Sequence, residues 1–112
     1  MKLVHDDDNV MLFGKVWLSI LDKDGNLLYQ DWAVCRIDKY ERDLINLLKG
    51  FDKHPKLERK ESTNPLEYKY NVKDTDKYIL IHAGVCLMKE YEFQNIIEEK
   101  CFGRLDQRLA TS

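Results

Sequence analysis

The chain lacks an apolar run long enough to cross a membrane as a helix. Its longest, Val10 to Leu21, is broken by Gly14, Lys15 and Ser19 and falls short of the roughly 18 residues a span requires. Close cysteine pairs are also missing: Cys35, Cys86 and Cys101 are an odd, widely spaced set, so no disulfide framework is implied and three reduced, buried thiols are expected. No C-x-x-C or H-E-x-x-H occurs, and His5, His54 and His82 have no ligand spacing to any cysteine, so neither a metal nor another cofactor is expected. The five glycines stand alone, which leaves no phosphate-cradling loop. An excess of one charge is absent as well. Eighteen Lys and Arg against 20 Asp and Glu give a net of -2, which argues against non-specific nucleic-acid binding. The acidic run Asp6 to Asp8 stands where a secretory leader would be apolar, and the expected compartment is the cytosol.

What the 112 residues do contain is 44% apolar and 34% charged side chains, the composition of one folded domain. Residues 10–21 are branched and aromatic on both faces of a strand, and residues 27–37 follow after Asp22-Lys23-Asp24-Gly25-Asn26, where Gly25 closes a bulged hairpin. Asp38, with Glu41 three residues on, reads as a helix cap ahead of Tyr40, Leu44, Leu47, Leu48 and Phe51, with Gly50 and Pro55 ending the helix. Residues 57–62 fit a polar edge strand or a loop. Residues 66–72 alternate strictly, with Leu66, Tyr68, Tyr70 and Val72 on one side. A turn at 73–76 then leads to a strand over 77–88, apolar on both faces and therefore central, and to a helix near 89–102 that ends at Gly103.

The expected class is α+β: a single, mainly antiparallel sheet of four or five strands in the order ββα(β)ββα, with two helices packed on one face. Residues 1–9 and 104–112 are expected to be frayed ends, although Leu105 and Leu109 could dock another turn. Charged groups on the weak edge, Glu58, Arg59, Lys60, Glu67 and Lys69, discourage strand pairing between copies, so a monomer is expected.

Catalytic constellations are scarce. His82 and Cys86 share a strand face, but four residues at roughly 3.3 Å each separate them by about 13 Å, too far for a nucleophile and its base. Asp22 to Asn26 opens like a calcium loop, yet its sixth and twelfth positions are Leu27 and Ala33, not glycine and glutamate. An enzyme is not expected. The more informative residues are acids at turns and amphipathic aromatics on strands. If the two hairpins enter the sheet in one direction, Asp22, Asp24, Asp74 and Asp76 gather at one end, diluted by Lys23 and Lys73. Asp6, Asp7 and Asp8 would lie at the other. Tyr29, Trp32, Tyr68 and Tyr70 are the candidate anchors for a partner, core packing being the alternative for each.

The segment LSILDKDGNLLYQDWAVCRID running into KYERDLINLLKGF, then LEYKYNV and YILIHAGVCLM before a terminal helix, resembles the small α+β immunity proteins of bacterial toxin systems. The resemblance lies in size, acidity and order of elements over most of the chain. It implies a protein that neutralises a locally basic toxin domain by binding it. The alternatives are a homodimeric structural or accessory protein, a small nucleic-acid binder stacking bases on Tyr68, Tyr70 and Tyr78, and a small hydrolase.

Overall fold

The computed structural model describes residues 9–105 and shows an α+β fold with all five strands in one antiparallel sheet. The expectations for His5, for Asp6 to Asp8, for Leu109 and for fraying of 1–8 and 106–112 lie outside the described residues. The strands are β1 (Val10–Leu21), β2 (Leu27–Arg36), β3 (Leu57–Lys60), β4 (Glu67–Val72) and β5 (Tyr78–Lys89). The helices are α1 (Tyr40–Lys53), between β2 and β3, and α2 (Glu90–Lys100), after β5. Spatial order is β2-β1-β5-β4-β3, so the two strands that are apolar on both faces, β1 and β5, lie inside the sheet as their composition predicts. Among the described residues no helix is long and apolar enough to cross a membrane.

Period-2 alternation divides the interior into two cores. Val16, Leu18, Ala33, Ile79, Ile81 and Tyr70 face α1, which lays Leu47, Leu48 and Phe51 on them. Phe13, Val34, Trp32 and Cys86 point the other way and meet Phe93 of α2, whose ring stacks on Phe13 at 4.5 Å. The helices thus lie on opposite faces, not on one. The physical reason is that β1 and β2 are apolar on both sides and one helix covers only one of them.

Beyond α2 the chain returns to the first face around the edge of β2. Cys101 leaves the helix in an extended conformation, forms a parallel bridge with Val34, and delivers Phe102 and Leu105 to the α1 core. The helix accordingly stops at Lys100 instead of running to Gly103. Residues 102–105 form the further turn expected around Leu105, which is buried.

Other boundaries differ for local reasons. Asp38 makes no capping bond, because a 3-10 turn over Ile37–Lys39 absorbs it and Lys39 becomes the N-cap of α1. The α1 helix passes through Gly50 and ends at Lys53, with His54 as its extended C-cap ahead of Pro55. At α2 the Lys89 backbone N–H donates to Glu92 Oε1 at 2.9 Å, half of a capping box. Residues 57–60 do pair with β4, so the polar segment is an edge strand. The first hairpin has its bulge, between Ile20 and Leu21, and Gly25 takes φ 84°.

Candidate functional site

The register fixes where the turns lie. Strands β1 and β4 run the same way, Leu21 pairs with Tyr78, and both hairpin turns therefore emerge at one end of the sheet. Asp22, Asp24, Asp74 and Asp76 share that end. Their roles differ. Asp22 is built into its turn: Oδ1 accepts from the backbone N–H of Asp24 and of Asn26, each at 2.9 Å, and Oδ2 accepts from Asn26 Nδ2 at 3.1 Å. Those Asn26 bonds hold its carboxyl below the usual carboxylate range. Asp74 takes a left-handed backbone with φ 64°, and Thr75 Oγ1 closes the second turn by donating to the Val72 carbonyl at 2.8 Å. The exposed side chains of Asp24, Asp74 and Asp76 remain free to act at this end, in a turn surface they share with the exposed Lys23, Lys73 and Lys77.

The candidate anchors do not gather there as a group. Tyr29 does, half exposed on β2 with its hydroxyl donating to Asp31 Oδ2 at 3.3 Å. Beside it Leu27 and Leu28 are similarly exposed, on a strand that has no neighbour on its outer side among the described residues apart from the Cys101 bridge. Sequence reasoning missed these two leucines. The only signal for them was that a strand following the first hairpin could end the sheet, leaving its first residues without cover.

Trp32 lies deeper and on the α2 face, opposite Trp17. Lys15 Nζ stands 4.5 Å from its ring centre and 5.0 Å from that of Trp17, and Lys100 Nζ stands 4.7 Å from Trp32. Tyr70 takes the core alternative: it is fully buried, edge-on to Phe51, and its hydroxyl donates to Asp52 Oδ1 at 2.8 Å while accepting from Arg59 Nε at 3.2 Å. Burial pushes that phenol up to about 12. Tyr68 packs beside it under the Arg59 guanidinium. Burial keeps a stacking base from Tyr70, whereas Tyr68 is partly exposed and lines an open cleft with Arg59 and Lys60, and Tyr78 is capped by Lys69 at 4.6 Å.

Asp31 is the one buried acid among the described residues. Oδ1 accepts from Lys100 Nζ at 2.7 Å and from the Trp32 backbone N–H at 2.8 Å, so the pair pins the end of α2 to β2.

Of the three thiols expected to be buried only Cys35 is; Cys86 and Cys101 are partly exposed. Burial pushes Cys35 up to about 12 and raises Cys86. The Trp17 ring lies across Gly84, the residue between His82 and Cys86 on their common face, so close that a Cβ there would stand 3.2 Å from Cζ3. It occupies the space a Cys-His pair would need. The described residues contain no group of three metal-ligating side chains. A cleft of about 520 Å³ opens between the two helices at the edge of β2. Its Arg36 is held by Glu90 through two bonds of 2.7 and 3.0 Å, and its Asp43 accepts from Arg42. In comparisons with known proteins the chain matches no family model, no curated protein and no solved structure.

Proposed function

We propose that the chain is a non-enzymatic protein-binding domain that inhibits a locally basic partner, as a toxin-neutralising protein does. One observation carries the reading: two acid-bearing turns emerge side by side, next to exposed Leu27, Leu28 and Tyr29 on an unpaired strand edge. Apolar anchors with a charged rim are the composition of a protein interface. The unpaired backbone of β2 adds hydrogen-bonding groups that an extended segment of a partner can take up. The carboxylates act at long range and set the association rate, while the three side chains on β2 set the dissociation rate.

The test uses a protein captured by the immobilised chain. Asp24, Asp74 and Asp76 changed together to Asn, with Asp22 kept because it builds its turn, should slow association about tenfold at low salt, a difference that shrinks as salt rises. Leu28→Ala and Tyr29→Ala should speed dissociation instead. Expression of the captured partner should arrest growth only where the chain is absent. An association rate indifferent to the three substitutions at low salt sinks the steering role, and a partner harmless in the absence of the chain sinks inhibition.

A further inference from the structure

At the end of the sheet opposite the acidic turns, strands β1 and β5 outrun their neighbours. The pairing of β2 ends at Phe13 with Arg36, and that of β4 ends at His82 with Glu67. From Val10 to Leu12 and Leu87 to Lys89 the sheet is a two-stranded arm. Cover ends at the same place. Tyr40, the first residue of α1, lies on Gly14, and beyond it the α1 face is bare: Val10, Leu12, Val85 and Leu87 are 56, 45, 49 and 68% exposed. Leu12 and Leu87 are cross-strand partners, and Gly14 pairs with Val85, so these side chains form one patch. Ile37, half exposed, follows Arg36, the last residue of β2 and the partner of Phe13, and so continues β2 alongside Leu12.

We infer that this bare face docks a second copy of the chain, the two arms packing face to face about a twofold axis. Three observations select that occupant. The patch consists of uncharged aliphatic side chains on two adjacent strands, which is self-complementary under a twofold rotation and offers nothing to the basic partner suited to the acidic end. Its area suits a weak dimer: five exposed aliphatic side chains amount to about 400 Å² per copy, within the range of the largest patch on a monomer. Two such patches with their rims approach the roughly 1,000 Å² of a specific interface. Finally, α1 forms a step one layer high at Tyr40, and packed sheets stand about 10 Å apart, close to the thickness of a helix layer. A partner arm therefore continues the layer that α1 leaves unfinished. Because the arm and the acidic turns lie at opposite ends of β1, the dimer leaves both acidic ends free. This inference goes beyond the proposed function and does not depend on it.

Sedimentation velocity on the full chain from about 1 to 200 μM decides the matter. The mass should rise with concentration from 13.3 kDa toward twice that value. Leu87→Lys should shift the midpoint at least tenfold upward, and the milder Leu87→Ser, which any arm that folds will tolerate, should shift it in the same direction. Ile45→Lys, at a 45% exposed position on α1, should leave it unchanged. A wild-type chain that stays at 13.3 kDa throughout overturns the proposal. A dimer that survives Leu87→Lys overturns it too, because the interface then lies elsewhere. The three-Asn variant of the acidic turns should dimerise as the wild type does, which separates failure here from failure of the proposed function.

Discussion

The two halves of the β1–β5 pair are built from the same kinds of residue and end in opposite states. In the half nearer the acidic turns, Val16, Leu18, Ile79 and Ile81 are closed off completely by α1. In the other half Val10, Leu12, Val85 and Leu87 continue the same alternation on the same face and stand in solvent. Composition does not separate them. What separates them is the reach of a 14-residue helix, about 21 Å at 1.5 Å per residue, over strands of 12 residues that extend roughly 40 Å. An apolar strand pattern therefore reports that a face needs cover, and the lengths of the neighbouring elements decide whether this chain supplies it.

The sharpest way to break the comparison is to truncate one residue from each half. Leu18→Ala should cost about 3 kcal/mol, since a fully buried leucine leaves a cavity lined by Ile81 and α1. Leu87→Ala should change stability by less than about 0.5 kcal/mol in urea unfolding at low micromolar protein. Equal losses at that concentration would mean that the arm is covered within the monomer. If the arm docks a second copy, the gap should narrow as protein concentration rises.

The same contrast explains how much was legible in the sequence. Four of the five strands, both hairpins and the inner place of β5 follow from alternation and turn chemistry, signals that act within a dozen residues, whereas residues 57–60 read equally as edge strand or loop until their pairing with β4 is seen. Placement of the four acids at one end was legible only on the condition that the two hairpins enter the sheet in one direction, which the pairing of β1 and β4 with β5 supplies. The opposite placement of α1 and α2 was not legible. It depends on which face of β2 each helix finds uncovered, and on Cys101 leaving the helix to pair with Val34. Tyr70 was ambiguous for a related reason: an alternating tyrosine reads the same whether its face meets water or α1. The lack of cover over Leu27, Leu28 and the arm arises from strand order and helix length, both of which are properties of the assembled sheet.

Gly14 marks the border between the halves and gives the next test. A Cβ there would overlap the Tyr40 ring, 2.7 Å from Cγ, and Tyr40 is itself held edge-on by Phe102 at 6.4 Å. Gly14→Ala must therefore push the first turn of α1 away from the sheet, at about 1–3 kcal/mol. Gly103→Ala, with open space around the position, is the control and should be neutral or slightly stabilising. A neutral Gly14→Ala would mean that Tyr40 swings aside freely and that the border is not fixed by packing.

The smallest expected effect concerns the other helix, which is tied down at the base of the arm by charge as well as by packing. Arg36 at the end of β2 makes two bonds to Glu90, the first residue of α2, and its guanidinium lies 4.9 Å from the Phe93 ring. The bonds from Arg36, then that from Gln94, hold the Glu90 carboxyl down to about 2, from an ordinary value near 4.5. A carboxyl depressed in the folded state contributes stability that is fully present above its unfolded value and is lost as pH falls through its folded one. The contribution should therefore be complete above about pH 5 and vanish toward pH 2. Glu90→Gln removes the charge and keeps the shape, so the stability difference between wild type and variant should be constant near neutrality and close as pH drops across that window. Both side chains are about a third exposed, so the difference should also shrink in high salt. A difference that persists unchanged at pH 2 would show that Glu90 holds α2 through its hydrogen bonds alone, leaving the Phe13–Phe93 stack as the main tie on that face.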